Sequence, residues 1–168
     1  MSDAEERPID LRVESIHPML CAFHRYWLRL PSVNGLPGRQ HVDPADIRDL
    51  LPWLVMLDVE SPLPRPVFRF RLAGTGIVGL YDLEITGRTL REAFPERAAE
   101  LNADFAQTMA ARCPTYLRRP LPIPGKHYRS QESLICPLAT DGQSIDMLIG
   151  VTTPLRHKDT GVVRQTAA

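Results

Sequence analysis

The last third of this chain reads as three extended runs joined by two tight turns, and this pattern limits the fold more than any other feature. The runs are "TYLRRPLPI" (115–123), "HYRSQESLICPL" (127–138) and "SIDMLIGVTT" (144–153). A "PGK" turn joins the first two and "TDGQ" the last two, and Asp-Gly is a strong hairpin signal. Connections this short join antiparallel neighbours, since a parallel pair needs a crossover of a dozen residues or more. Two earlier runs, "WLVMLDVE" (53–60) and "VFRFRL" (67–72), flank a "SPLPRP" turn. The second alternates strictly, which places Phe68, Phe70 and Leu72 on one face and Arg69 and Arg71 on the other.

The remaining segments have helical spacing. From Ser15, a candidate cap, the residues Ile16, Met19, Leu20, Phe23, Trp27 and Leu30 form one apolar stripe, with Pro18 tolerable in the first turn. "VDPADIRDLLP" predicts a second helix, with Asp43 as N-cap, Pro44 at N1 and Asp46 in the first turn. "IVGLYDLEITGRTLREAF" is broken by Gly79 and Gly87 and predicts short helical pieces. "PERAAELNADFAQTMAARC" predicts a longer helix with Leu101, Phe105 and Met109 on one face. Helices first, two strands, helices again and a closing meander give an α+β fold with an antiparallel sheet.

A length of 168 residues suits one domain. The expected divisions are a leader over 1–14, a helical extension over 15–52, the sheet domain over 53–154 and a frayed tail over 155–168. Twenty basic and twenty acidic side chains give zero formal charge, so the broad basic field of a nucleic-acid binder is missing. The opening "MSDAEERPID" has neither the charged nor the apolar region of a secretory signal, and no run approaches the ~18 apolar residues of a membrane span. Three distant cysteines, Cys21, Cys113 and Cys136, argue against a disulfide framework and for a reducing cytoplasm.

Positions 74–79 read GTGIVG, the spacing of a dinucleotide-binding turn. That motif requires a buried parallel strand before it and a full helix after it. Here the preceding strand alternates arginine with phenylalanine and the following segment is interrupted by Gly79. The glycines are read as a tight strand-to-helix turn, without NAD or FAD. Histidines 17, 24, 41, 127 and 157 make no zinc spacing, and no serine-nucleophile or Walker motif occurs. No catalytic constellation emerges. Arg118, Arg119, Lys126 and Arg129 form a basic cluster readable as a solvated face or as an anion site. Arg88 in "ITGRTL" opens a turn, where it serves either an anion or a salt bridge.

Taken together, several of these words resemble the PAS-like domain proteins of bacteria, in a compact form with an N-terminal extension. They are "YW" (26–27), "VDPADIRDLLPWLVMLDVE" (42–60), "FRFRLAGTGIVGLY" (68–81), "TGRTL" (86–90) and "ESLICPLATDGQSIDMLIGVT" (132–152). The resemblance covers about four fifths of the chain. It implies a five-stranded antiparallel sheet with short helices on one face. It also implies a cytoplasmic sensory or regulatory module that binds a small molecule or relays a signal through protein contacts. The alternative is a pure dimerisation scaffold whose cavity is filled by its own side chains. The photoactive flavin motif of that family is absent, and "PERAAELNADFAQTMAAR" lacks the histidine a haem would need, so the cofactor stays unknown. The resemblance also implies a free-standing module.

Strand alternation then places a ligand. Leu134, Cys136 and Leu138 share a core-facing side, and counting back puts Glu132, Ser130 and Tyr128 at its polar end. Ile145, Met147, Ile149 and Val151 form a wall, Phe70 stands opposite, and Tyr81 and Arg88 supply a lid. Arg88 is the expected partner of Glu132. A bulge near Ser130 would instead leave His127 and Arg129 inside. The N-terminal stripe is expected to make a homodimer.

Overall fold

The computed structural model describes residues 16–32, 35–126, 129–155 and 163–166. The leader and Tyr128 therefore lie outside the described residues. Among the described residues, six strands form one antiparallel sheet: β1 Leu54–Ser61, β2 Val67–Ala73, β3 Thr115–Pro120, β4 Ser130–Leu138, β5 Met147–Pro154 and β6 Val163–Thr166. Their order across the sheet is β2-β1-β5-β4-β3-β6. The five expected strands are all present. The sixth lies in the segment read as a frayed tail and pairs with β3 from Arg118↔Val163 to Thr115↔Thr166. Short, polar and separated from β5, it carried no hairpin signal.

Among the described residues, four α-helices flank the sheet: α1 Pro18–Arg29, α2 Thr75–Tyr81, α3 Leu90–Ala93 and α4 Ala98–Ala111. Helices α2, α3 and α4 cover one face. There they meet Val55, Leu57, Phe68, Phe70, Leu117, Ile135 and Leu148 from the strands. The opposite face carries α1, whose Leu20 and Phe23 pack among Leu54, Met56, Leu134, Cys136, Met147 and Ile149. Both faces of β4 and β5 are thus buried nearly end to end.

The start of α1 falls two residues later than the sequence reading placed it. His17 is the N-cap, its ring accepting from Met19 N–H at 3.2 Å, and Pro18 occupies N1. Proline is favoured there because its missing N–H has no helical partner to lose. Along the apolar stripe Leu20 and Phe23 are buried, Ile16, Met19, Trp27 and Leu30 pack partly buried against the sheet, and Leu28 beside them is 61% exposed. The homodimer expected on that stripe would use its partly exposed side chains.

Residues Pro44–Trp53 form 3-10 turns, not the expected α-helix. Asp43 does cap them, accepting from Ala45 N–H at 2.9 Å. Ile47 leaves helical geometry (φ −126°, ψ 31°), and Pro52 removes a further donor. In β2 the strict alternation also fails. Leu57 pairs with Phe70 but Met56 pairs with Leu72, so Arg71 is an extra, bulged residue. The bulge turns Leu72 to the α1 side of the sheet, where it is 39% exposed.

His24 on α1 is half-buried, and desolvation holds its pKa below the ordinary 6.5. A histidine with a depressed folded pKa binds its proton less readily folded than unfolded. Its contribution is therefore complete above about pH 6.5 and is lost as pH falls through that value toward the folded one. Melting temperature should drop between pH 7 and 5, and His24→Gln should flatten that slope. Parallel profiles for the two proteins would refute the assignment.

Candidate functional site

A cavity of about 40 Å³ lies between the sheet and helices α2–α4. Most of its wall is apolar: Val55, Phe70, Ile77, Ile85, Phe94, Leu101, Phe105, Leu117 and Ile135. Phe94 is central to the aromatic part. It meets Phe70 edge-on at 5.9 Å and Tyr81 edge-on at 5.4 Å between ring centroids. Such perpendicular pairs set the electropositive edge of one ring against the face of another.

Five polar side chains also face this cavity: Tyr81, Arg119, Gln131, Ser133 and Thr152. The Tyr81 hydroxyl donates to Gln131 Oε1 at 2.8 Å. Burial pushes the Tyr81 pKa well up, so this hydroxyl keeps its proton. Ser133 and Thr152, which face each other across β4 and β5, share a hydrogen bond of 2.8 Å. Arg119 donates through Nη2 to Asp104 of α4 at 2.7 Å and through Nη1 to Glu100. Asp104 is fully buried. The guanidinium is therefore neutralised within the protein, and the groups left facing the cavity are hydroxyls and an amide.

Two of the sequence-predicted site residues, Phe70 and Tyr81, line this cavity. Glu132 and Met147 are buried on the other face, under α1. Ser130 shares the parity of Glu132 on the regular β3–β4 ladder, with no bulge between Ser130 and Ile135. Ile149 and Val151 also lie under α1. The alternation holds for Leu134, Cys136 and Leu138, whereas Ile145 precedes β5 and packs with Phe70 on the cavity side, away from Met147, Ile149 and Val151. Alternation selects opposite faces and does not say which one holds the cavity. Both faces are apolar, so Leu134, Cys136 and Leu138 turn toward α1, while Gln131, Ser133 and Ile135 turn toward the cavity.

Arg88 is likewise displaced from its expected role. Its backbone carbonyl accepts from Phe70 N–H at 2.9 Å, and its exposed side chain does not line the cavity. Glu132 instead accepts from the backbone N–H of His17 at 3.0 Å and from the Tyr116 hydroxyl at 2.9 Å. Burial, followed by that contact with Glu132, pushes the Tyr116 pKa up to about 12. The basic cluster divides by parity as well. Arg118 is buried and donates to the Tyr116 hydroxyl on the α1 side, whereas Arg119 meets α4.

The glycine motif serves the backbone. Gly74 caps α2, and its N–H donates to Leu54 C=O at 2.8 Å. Strand β2 before it is antiparallel and at the sheet edge, and α2 has seven residues. The parallel strand–turn–helix unit of a dinucleotide site is not built here. No group of three or more His, Cys, Asp or Glu among the described residues is arranged to hold a metal ion. Among the described residues, no helix is long and apolar enough to cross a membrane.

Comparison with known proteins agrees with this architecture. VqmA of Vibrio cholerae, solved bound to DPO, superposes with a TM-score of 0.51 at 17% identity. The match covers 68% of this chain and 57% of VqmA, so the chain spans little more than half of that protein. The PAS domain of Bordetella pertussis BvgS superposes with a TM-score of 0.50 at 19% identity, covering 68% of this chain and 87% of that one. No curated protein sequence matches significantly. The sequence pattern of the PAS domain matches residues 15–153. The chain belongs to the PAS domain family.

Proposed function

We propose that this chain is a non-catalytic sensory module whose cavity takes a small uncharged molecule, and that occupancy is passed on through protein contacts. The carrying observation is the set of neutral hydrogen-bonding groups, Tyr81–Gln131 and Ser133–Thr152, facing an otherwise apolar cavity. Buried polar groups cost stability unless they are paired, and apolar side chains would fill the same space without that cost. Convergent hydroxyls and an amide amid apolar walls suit a ligand with an apolar body and a donor or acceptor. Charged ligands are disfavoured, because Arg119 is already matched by Asp104 and Glu100. That VqmA was solved with DPO bound supports the reading at the level of fold analogy.

The volume favours a second reading. A cavity of about 40 Å³ has room for roughly one water molecule, so the interior as seen is nearly filled by its own side chains. A ligand of more than a few atoms would have to move Tyr81 and its neighbours on α2. An interaction scaffold needs no such motion.

Native mass spectrometry of freshly purified protein separates the two. The sensory reading expects a bound small molecule that is lost on denaturation. It also expects that molecule to be missing from a folded Ser133→Leu variant, which fills the cavity and removes a hydroxyl. A bare native mass, with no melting shift from a library of small neutral compounds, would leave the scaffold reading standing.

A further inference from the structure

A groove of about 660 Å³ lies outside the central cavity, where the edge strand β2 meets α3 and α4. Phe68, Leu90, Pro95 and Ala98 form an apolar floor, and Phe68 and Leu90 are buried. Val67 at its rim is 42% exposed, and Leu63, in the turn that leads into β2, is 43% exposed. Exposed apolar side chains thus extend from the groove onto the hairpin turn. An apolar surface that runs on past a groove suits a polypeptide better than a small molecule.

The charges around this groove are unevenly matched. Glu92 is committed to its capping box with Thr89 and to Arg69, and Glu60 also pairs with Arg69. Glu100 is held by Arg97 and Arg119. Arg91, which lines the groove, and Arg65, on the hairpin turn, are exposed and make no ion pair among the described residues. Glu96, beside Pro95, is exposed and opposes them. The 14-residue α4 starts on the groove wall at Ala98 and Ala99, and its cap residue Arg97 gives no side-chain hydrogen bond. The positive end of that helix adds to the field of the two arginines. The balance favours an occupant with carboxylates beside apolar side chains.

This chain carries such a segment. Its opening residues, MSDAEERPIDLRVE, hold five acidic side chains against Arg7 and Arg12, and Ile9, Leu11 and Val13 alternate with Asp10, Arg12 and Glu14. In an extended strand, alternation of this kind gives one apolar side and one charged side. The groove of the same chain is out of reach. The start of α1 is fixed at Glu132, which stands opposite Thr153 on β5. Phe68 pairs instead with Val59, whose N–H donates to Asp146 at the other end of β5. From 153 to 146 the strand advances about 23 Å, and the steps from β4 across β5 and β1 to β2 add about 14 Å sideways. The groove also lies on the opposite face of the sheet from α1. Leu11 reaches at most about 18 Å from Ile16, and Val13 less.

We propose that the leader of a second copy of this chain occupies the groove, its apolar side on Phe68, Leu90 and Ala98 and its carboxylates toward Arg91 and the start of α4. Reciprocal exchange fills both grooves and closes the pair as a symmetric dimer. The contact requires neither a ligand in the central cavity nor the apolar stripe of α1.

Two measurements on the full chain test this: sedimentation velocity at roughly tens of micromolar, and binding of a fluorescent synthetic peptide of residues 1–14. The native chain should run as a dimer. Leu11→Asp should weaken that dimer by about tenfold or more, because it removes one apolar anchor. Arg91→Glu should weaken it by about tenfold, since it replaces an attraction with a repulsion. Arg91 is exposed, so its reversal leaves the fold intact. The Leu11→Asp chain keeps an intact groove and should bind the peptide. Leu11→Asp combined with Arg91→Glu should bind it about tenfold less tightly. A monomeric native chain overturns the exchange, as does a peptide that fails to bind or binds regardless of Arg91→Glu. A dimer indifferent to Leu11→Asp assigns association to the α1 stripe and overturns it too. Arg91-dependent binding of an unrelated acidic peptide, with none of residues 1–14, gives the groove to another protein and is equally decisive against it.

Discussion

Asp104→Ala is expected to destabilise the fold by about 3–5 kcal/mol, the usual cost of leaving one buried charge without its partner. Asp104 is fully buried on α4, and the Arg119 side chain opposite is 12% exposed. With Asp104 gone, the guanidinium keeps Glu100 among the described residues, a side chain that is 36% exposed and also pairs with Arg97. Solvent screening makes that remaining pair weak, so Glu100→Ala should cost no more than about 1 kcal/mol. The pair itself is one hydrogen bond short of bidentate: Arg119 Nη2 donates to Asp104 Oδ1, but Nε and Oδ2 meet as ions without an aligned hydrogen bond. Its net value over an apolar pair is therefore small, and Asp104→Leu combined with Arg119→Met should recover most of the lost stability. Urea denaturation of these variants checks the order. If Asp104→Ala costs less than about 1 kcal/mol, water reaches the pair and the site is more open than its burial indicates.

That carboxylate was legible in the sequence in a way the reading did not use. Leu101, Asp104, Phe105, Thr108 and Met109 are all buried on α4. An acid on the apolar stripe of a helix calls for a buried partner, and the basic cluster at Arg118 and Arg119 held it. The architecture was readable for a simple reason. Short turns force antiparallel pairing, and alternation fixes which residues share a face. Position relative to a second covering layer is not encoded in the same way. Once α1 covers the far side of the sheet, both parities of β4 and β5 become apolar, and nothing in "SQESLICPL" says which side faces the cavity. Glu132 is buried, but its partners are a backbone N–H and a phenol from the other layer in place of the expected Arg88. Backbone donors leave no residue-type signal. The bulge at Arg71 was similarly hidden, because "VFRFRL" alternates perfectly while the ladder skips a residue.

The three glycines of GTGIVG should behave as three different residues under alanine substitution, and their order separates a structural turn from a nucleotide cradle. Gly74 has ordinary extended angles (φ −65°, ψ 158°), so its requirement concerns space and not conformation. A Cβ there would lie 2.2 Å from Leu51 C=O and 2.3 Å from Pro52 C=O. Both are backbone atoms of the 3-10 segment and cannot swing aside as a side chain would. Moving them also disturbs the Gly74 N–H bond to Leu54 C=O. Gly74→Ala is therefore expected to cost about 3 kcal/mol, the upper range for overpacking. At Gly76 the nearest atoms are Pro52 C=O at 2.8 Å and the Trp53 ring at 2.9 Å. That crowding is milder, and about 1–2 kcal/mol is expected. Gly79 lies inside α2 with nothing within 4 Å of a built Cβ. Alanine there removes only the entropic penalty of glycine in a helix and should stabilise by about 0.5–1 kcal/mol. Denaturation curves for the three variants would settle the order. A tolerated Gly74→Ala, or a destabilising Gly79→Ala, would show that close backbone approach is not what the motif serves. A nucleotide cradle would instead require the second glycine for approach to the pyrophosphate and the third for helix–strand packing. Here the sharpest requirement falls on the first glycine and none falls on the third, because the neighbour being accommodated is the chain's own 3-10 segment.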